Sequence, residues 1–235
     1  MNDGEREDTR EVWNRVAETT GGFRWVLRYG FVKGGLPMTA LIRLATSDDA
    51  PGVQAIYAPI VRETAISFEL EPPTVAEMEQ RIVKTLEHWP WLVCERRGNI
   101  LGYVYASQHR TRAAYQWSVD VSVYVHPDAR RLGVGQALYR SLFALLALQG
   151  FYNAYAGITL PNPASVGLHE SLEFHSVGVY RAVGYKLGAW HDVGWWQLTL
   201  RERAMPPELP TDLGTVRTSP AWSAVLATGV PFLRR

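Results

Sequence analysis

Cysteine is nearly absent from this chain: Cys94 is the single one in 235 residues. No internal disulfide is available, which fits a reducing compartment, so the cytoplasm is the expected location. Cys94 lies in WLVCERR, a strand-like run, and reads as a small buried hydrophobe rather than a nucleophile. An excess of charge is also missing: 24 Lys and Arg against 23 Asp and Glu leave a net +1. That gives no case for nucleic acid or an acidic membrane as a partner. The longest apolar run, residues 142–148, is far shorter than the roughly 20 residues needed to span a bilayer. The N-terminus is acidic and has no apolar segment, so no signal peptide is expected. The six histidines show no ligand spacing, and no metal is expected. His191 and Asp192 are adjacent, but they fit the last hairpin or a dimer contact better than a metal pair.

What remains is an ordinary globular composition, 47% hydrophobic and 20% charged, with length enough for one well-formed core. Residues 1–37 begin charged, turn aromatic (FRWVLRYGF) and end in GGLP, a linker-like stretch. They read as an extension outside the core, as if from an upstream start. Residues 38–203 form the expected domain, and 204–235, rich in Pro, Thr and Ser, are expected to pack as loop or stay loose. Within the domain, strands are expected at 41–44, 91–95, 100–107, 119–125, 153–158, 177–185 and 190–200. Helices are expected at 50–62, at 74–86 behind the capping box Thr74-Val75-Ala76-Glu77, at 135–149 closed by Gly150, and at 164–172. The alternation predicts an α/β class.

The most informative stretch is VSVYVHPDARRLGVGQALYRSLFALL, a strand, a turn and an amphipathic helix. Gly133 and Gly135 remove side chains at a helix start, where backbone N–H groups can meet an anion, and Arg130 and Arg131 add positive charge. The cradle suits a pyrophosphate. A Rossmann fingerprint would need a third glycine, where Leu138 stands, and an acidic residue about 20 positions on, where GFYNAYAGITL has none. A P-loop would need Gly-Lys-Ser/Thr, which is absent.

With Arg130, Gly133 and Gly135 in an Arg-x-x-Gly-x-Gly pattern, this segment resembles the acetyl-CoA-binding motif of the GNAT N-acetyltransferases. TAISFELEPPT, GYVYASQHRTRAAYQWSVDVSVYV, GITLPNPASVGLHESLEF and RAVGYKLGAWHDVGWWQL narrow the resemblance to the phosphinothricin and methionine sulfoximine acetyltransferase branch. It implies the GNAT fold: a mixed, mostly antiparallel central sheet with flanking helices and a splayed central strand pair. It also implies a homodimer that moves acetyl from acetyl-CoA to a small amino-acid-like amine.

The resemblance assigns roles to individual residues. Asp120, pointing away from Val119 and Val121, matches the position where the branch usually carries Glu, and is the expected general base. The backbone of Val123, Tyr124 and Val125 would pair with the pantetheine arm and polarise the thioester carbonyl. Arg130, Arg131, Leu132, Gly133, Val134, Gly135 and Gln136 would hold the pyrophosphate. Asn162 would bond the pantetheine, and His169, in place of the tyrosine common in the wider family, would protonate the departing thiolate. Glu173 stands where a glycine is common. Phe68, Arg110, Arg112, Tyr115 and Tyr185 would select the substrate, the arginines matching a carboxylate or phosphinate, with Trp117 beside Phe68. A coenzyme A-binding sensor without turnover, or a GNAT enzyme of protein N-termini, are the alternative readings.

Overall fold

The computed structural model describes residues 40–234, so the extension expected over residues 1–37 lies outside the described residues. The elements come in the expected order: β1 (Leu41–Leu44), α1 (Ala50–Glu63), α2 (Val75–Leu86), β2 (Trp91–Arg96), β3 (Asn99–Gln108), β4 (Ser118–Val125), α3 (Val134–Gln149), β5 (Asn153–Leu160), α4 (Pro163–Ser171), β6 (His175–Lys186) and β7 (Ala189–Thr199). Local chemistry sets their ends. Thr74 Oγ1 accepts from the Glu77 N–H while Glu77 accepts from the Thr74 N–H, which closes the capping box of α2. Arg97 and Gly98 both take positive φ, the requirement of a two-residue hairpin turn. Gly150, at φ 99°, ends α3 in the left-handed region.

The sheet runs β1-β2-β3-β4-β5-β7-β6. Its neighbours are antiparallel except β4 and β5, which are parallel and pair only from Ser118↔Asn153 to Asp120↔Tyr155. Beyond Asp120 the two strands part. Helix α3 covers one face, where Val104, Ala106, Val119, Val121, Ala154 and Ala156 form a core with Leu138, Leu142 and Leu145. Each of these fully buried leucines contributes about 1.5–3 kcal/mol. Helices α1 and α2 cover the other face over Val93 and Tyr103. Alternation along β4 therefore puts Asp120, Ser122 and Tyr124 on the α1/α2 side.

The residues after Arg203, expected to pack as loop or stay loose, are packed and include short helices. They form α5 (Leu213–Val216), α6 (Trp222–Leu226) and a 3-10 turn (Ala227–Phe232), with Leu213 and Val216 buried. Gln149 Nε2 donates to the Thr211 carbonyl at 3.1 Å. Ser141 Oγ donates to Leu226 O at 2.7 Å and accepts from the Gly229 N–H at 3.1 Å. The Arg234 N–H donates to Leu132 O at 2.9 Å. The segment thus follows α3 from its C-terminal end to the loop that precedes it. Pieces this short carry no period of their own, and their anchors are distant in sequence.

Candidate active site

The parting of β4 and β5 opens a cleft lined by Val121, Ser122, Val123 and Tyr124 on one strand and Ala156, Gly157, Ile158 and Thr159 on the other. Ile66, Tyr139, Asn162, Ser165 and His169 complete its wall. Along the cleft the β5-facing edge of β4 has no strand hydrogen-bonded to it, so its peptide groups are available to an extended ligand.

Asp120 sits in the last pair before the cleft. Its Oδ1 meets Nδ1 of His109 at 2.6 Å. The His109 ring stacks on Tyr155 (centroids 4.3 Å, planes 15° apart) and receives the edges of Tyr115 and Trp195. Burial pushes the Asp120 carboxyl up, against the opposing pull of His109 and Arg110. His109 is the functional candidate that sequence reasoning missed. It lies in the stretch GYVYASQHRTRAAYQWSVDVSVYV, which gave it no role of its own, and the register of β3 on β4, with Ser107 opposite Asp120, brings it there.

His169 is buried, and both its nitrogens are engaged. Ser165 O can only accept, so Nδ1 carries a proton and donates to it at 2.8 Å. Nε2 of the neutral ring then accepts from the Tyr139 hydroxyl at 2.9 Å. Burial lowers the imidazole's affinity for a second proton, which keeps the ring neutral. Tyr139, also missed from sequence, thereby joins His169 in the wall of the cleft. Asn162 is the N-cap of α4, its Oδ1 accepting from the Ser165 N–H at 3.1 Å. Glu173 takes φ 69°, the left-handed conformation that a glycine would hold at less cost.

The loop before α3 has Arg131 and Gly133 in the left-handed region, at φ 63° and 75°. No side chain caps the helix. The first intrahelical bond is Ala137 N–H to Gly133 O, so the amides of Val134, Gly135 and Gln136 lack helical partners. The two glycines have packing reasons as well. A Cβ on Gly133 would run into the Phe232 carbonyl, and one on Gly135 would meet Leu168 Cδ2 at 3.1 Å. Gly135 thus lets α3 approach α4, a reason separate from access by an anion.

The substrate candidates divide. Arg110 and Tyr115 lie beside the His109–Asp120 pair, with the Arg110 guanidinium 5.7 Å from the Trp195 ring centroid. Phe68 packs against Gly184 and lies 6.3 Å from His191. Arg112 caps a short 3-10 turn (Ala113–Tyr115) and is exposed. Trp117 donates its indole N–H to Glu208 O at 2.7 Å, so it fastens the C-terminal segment. Tyr185 lies one residue from Gly184 and projects from the opposite face of β6, against Trp190. Within one chain it does not join Phe68. Among the described residues no group of three or more His, Cys, Asp or Glu could hold a metal ion, and no helix is long and apolar enough to cross a membrane.

Residues 42–195 match the acetyltransferase (GNAT) domain. The chain is 40% identical over 165 residues to a phosphinothricin N-acetyltransferase of Streptomyces viridochromogenes, covering 70% of this chain and 90% of that protein. It is 34% identical to an L-methionine sulfoximine/L-methionine sulfone acetyltransferase of Pseudomonas aeruginosa, over 69% of this chain and 96% of the relative. A crystal structure of a GNAT superfamily phosphinothricin acetyltransferase from Sinorhizobium meliloti, in complex with AcCoA, superposes with a TM-score of 0.68. That match has 35% identity and covers 74% of this chain and 94% of that one.

Proposed function

This chain belongs to the GNAT family of acetyltransferases, and from that premise we propose that it acetylates the amine of a small amino-acid-like substrate. Phosphinothricin and methionine sulfoximine define the class, and attack is direct, in a ternary complex with acetyl-CoA. The observation that carries the reading is the cleft that opens immediately after Asp120, with the hydrogen-bonded His109–Asp120 pair at its closed end. Acetyl-CoA supplies an acetyl thioester. The β4 edge at Val123, Tyr124 and Val125 holds the pantetheine arm, and an N–H there polarises the carbonyl. The unpartnered amides of Val134, Gly135 and Gln136, with Arg130, Arg131 and the turn through Leu132 and Gly133, hold the pyrophosphate. Asn162, whose Oδ1 already accepts from the Ser165 N–H, offers its NH2 as a donor to the same arm.

An ammonium must lose a proton before it can attack, and the group centred on Asp120 accepts it. Cys94 offers no covalent route, since it is buried and burial pushes its thiol up to about 11. The proton that the departing sulfur needs comes from the Tyr139–His169 pair in the cleft wall. Arg110 and Arg112 attract the substrate's carboxylate or phosphinate, while Phe68 and Tyr115 bound its side chain. Tyr185 serves the site of a second protomer in a homodimer working in the cytoplasm, with neither nucleic acid nor membrane as partner.

Thiol release from acetyl-CoA, followed with a panel of amines, tests the reading. Turnover is expected with phosphinothricin, methionine sulfoximine or related amino acids. Acetyl-CoA binding without turnover on any amine would identify a sensor, and turnover on peptide N-termini alone an enzyme of protein substrates.

A further inference from the structure

We infer that His109 is the group that takes the proton from the substrate amine, and that Asp120 is its positioning carboxylate. The inference rests on the acetyl-transfer reading and deepens it. Asp120 Oδ1 can only accept when ionised, so the 2.6 Å contact fixes the His109 proton on Nδ1. The lone pair of the neutral ring is then on Nε2, at the far side from Asp120. Stacking on Tyr155 at 4.3 Å and the edges of Tyr115 and Trp195 hold the ring plane. A nucleophile's base held in one tautomer by a carboxylate is a recurring catalytic arrangement.

A further observation favours the histidine over the carboxylate. Asp120 Oδ1 is already occupied by Nδ1, whereas Nε2 has no hydrogen bond among the described residues. In the step itself an N–H bond of the substrate ammonium breaks and its electron pair stays on nitrogen. The proton bonds to Nε2, and Asp120 then faces an imidazolium, the ion pair it is placed to stabilise. The proton leaves to solvent before the next turnover. The charged and titratable groups that face the ring are Asp120 from β4, Arg110 from its own segment, Tyr115 from the 3-10 turn and Tyr155 from β5.

The experiment begins with the wild-type enzyme on its best amine, since absence of turnover there would sink the acetyl-transfer reading itself. With turnover established, His109→Phe keeps the stack on Tyr155 and removes both nitrogens. It should lower kcat by about a hundredfold or more, leave the KM for acetyl-CoA unchanged and abolish the acidic limb of the kcat/KM profile. Imidazole added to His109→Ala should restore part of the rate. Nitrogen NMR of the wild-type enzyme, with the His109 signals assigned by comparison with a folded His109→Gln, should show the Nδ1–H tautomer, a readout of the native ring rather than of a variant's rate. A wild-type-like rate and acidic limb in His109→Phe, or an Nε2–H tautomer in the native enzyme, would overturn the inference.

Discussion

At the residue scale, single contacts decide what each ionisable group can do. Arg43 shows this away from the cleft. Its guanidinium meets both Asp49 oxygens at 2.7 Å and Glu95 at 2.7 Å, tying β1 and β2 to the start of α1. Burial alone would raise the Asp49 carboxyl, but bonds from Arg43 and Thr46 outweigh it and hold the group below its usual value. A carboxyl lowered in the folded state contributes stability above its unfolded pKa, about 3.9, and loses it as pH falls through the lower folded value. Asp49→Asn is therefore expected to destabilise the protein by about 2 kcal/mol near neutrality, the scale of a charge-assisted bond. The deficit should shrink toward zero in acid. Thermal melts of both proteins from pH 7 to pH 3 check this, and a deficit that stays constant with pH would remove the ion pair as its source.

At the element scale, the C-terminal segment connects stability to the glycine loop before α3, the proposed pyrophosphate site. Gly229 lies so close to α3 that a Cβ there would run into the Ala137 carbonyl, and beyond it Phe232 and Arg234 brace Gly133 and Leu132. Gly229→Leu is expected to lift this segment from α3 and free the loop. The KM for acetyl-CoA should rise about fivefold, the equivalent of one backbone hydrogen bond, with kcat little changed. A lower melting temperature at unchanged KM would mean that the segment stabilises α3 without setting the loop. The same element marks where the sequence stops being legible. The strands and helices up to Thr199 were readable because each carries its own period, cap or turn: the valines of β4, the Thr74–Glu77 box, Gly150. Asp120 could be singled out because that alternation gives its face and the resemblance puts a carboxylate at its position. His109 could not, because the chain path from β3 to β4 brings it to Asp120, and nothing in HRTRAAY encodes that path. Nor could the C-terminal helices, whose stability comes from Ser141 and Gln149, both far away in sequence. His169 was legible as a residue of the cleft, but its partner Tyr139 is on another helix, so its neutral, doubly bonded state was not.

At the scale of the whole molecule, the sheet ends at β6, and that edge bears on both assembly and catalysis. β6 pairs only with β7 among the described strands, and it exposes Val177 (59%), Val183 (50%), Tyr185 (58%) and, across the turn, Trp190 (65%). So many large apolar groups on one edge strand are the composition expected of a contact surface. Register shifts at Ser176/Gly178 and Tyr180/Gly184 break the ladder and re-aim these side chains, which disfavours endless strand addition but leaves them free to pack. A second copy meeting the same patch through a two-fold axis satisfies both conditions, because such an interface closes on itself. The native protein is then expected to sediment at twice 26.4 kDa, and Val183→Asp combined with Trp190→Glu at the monomer mass with its circular dichroism intact. If Tyr185 serves the partner's site, as proposed above, the monomer should also lose affinity for the amine while keeping its affinity for acetyl-CoA. The cleft between β4 and β5, the proposed acetyl-CoA site, is lined by one chain, whereas Tyr185 would reach a substrate only across such an axis. A native monomer, or a charged variant that still dimerises, would rule out this edge as the interface. A monomeric variant with undiminished amine KM would leave Tyr185 a contact residue only.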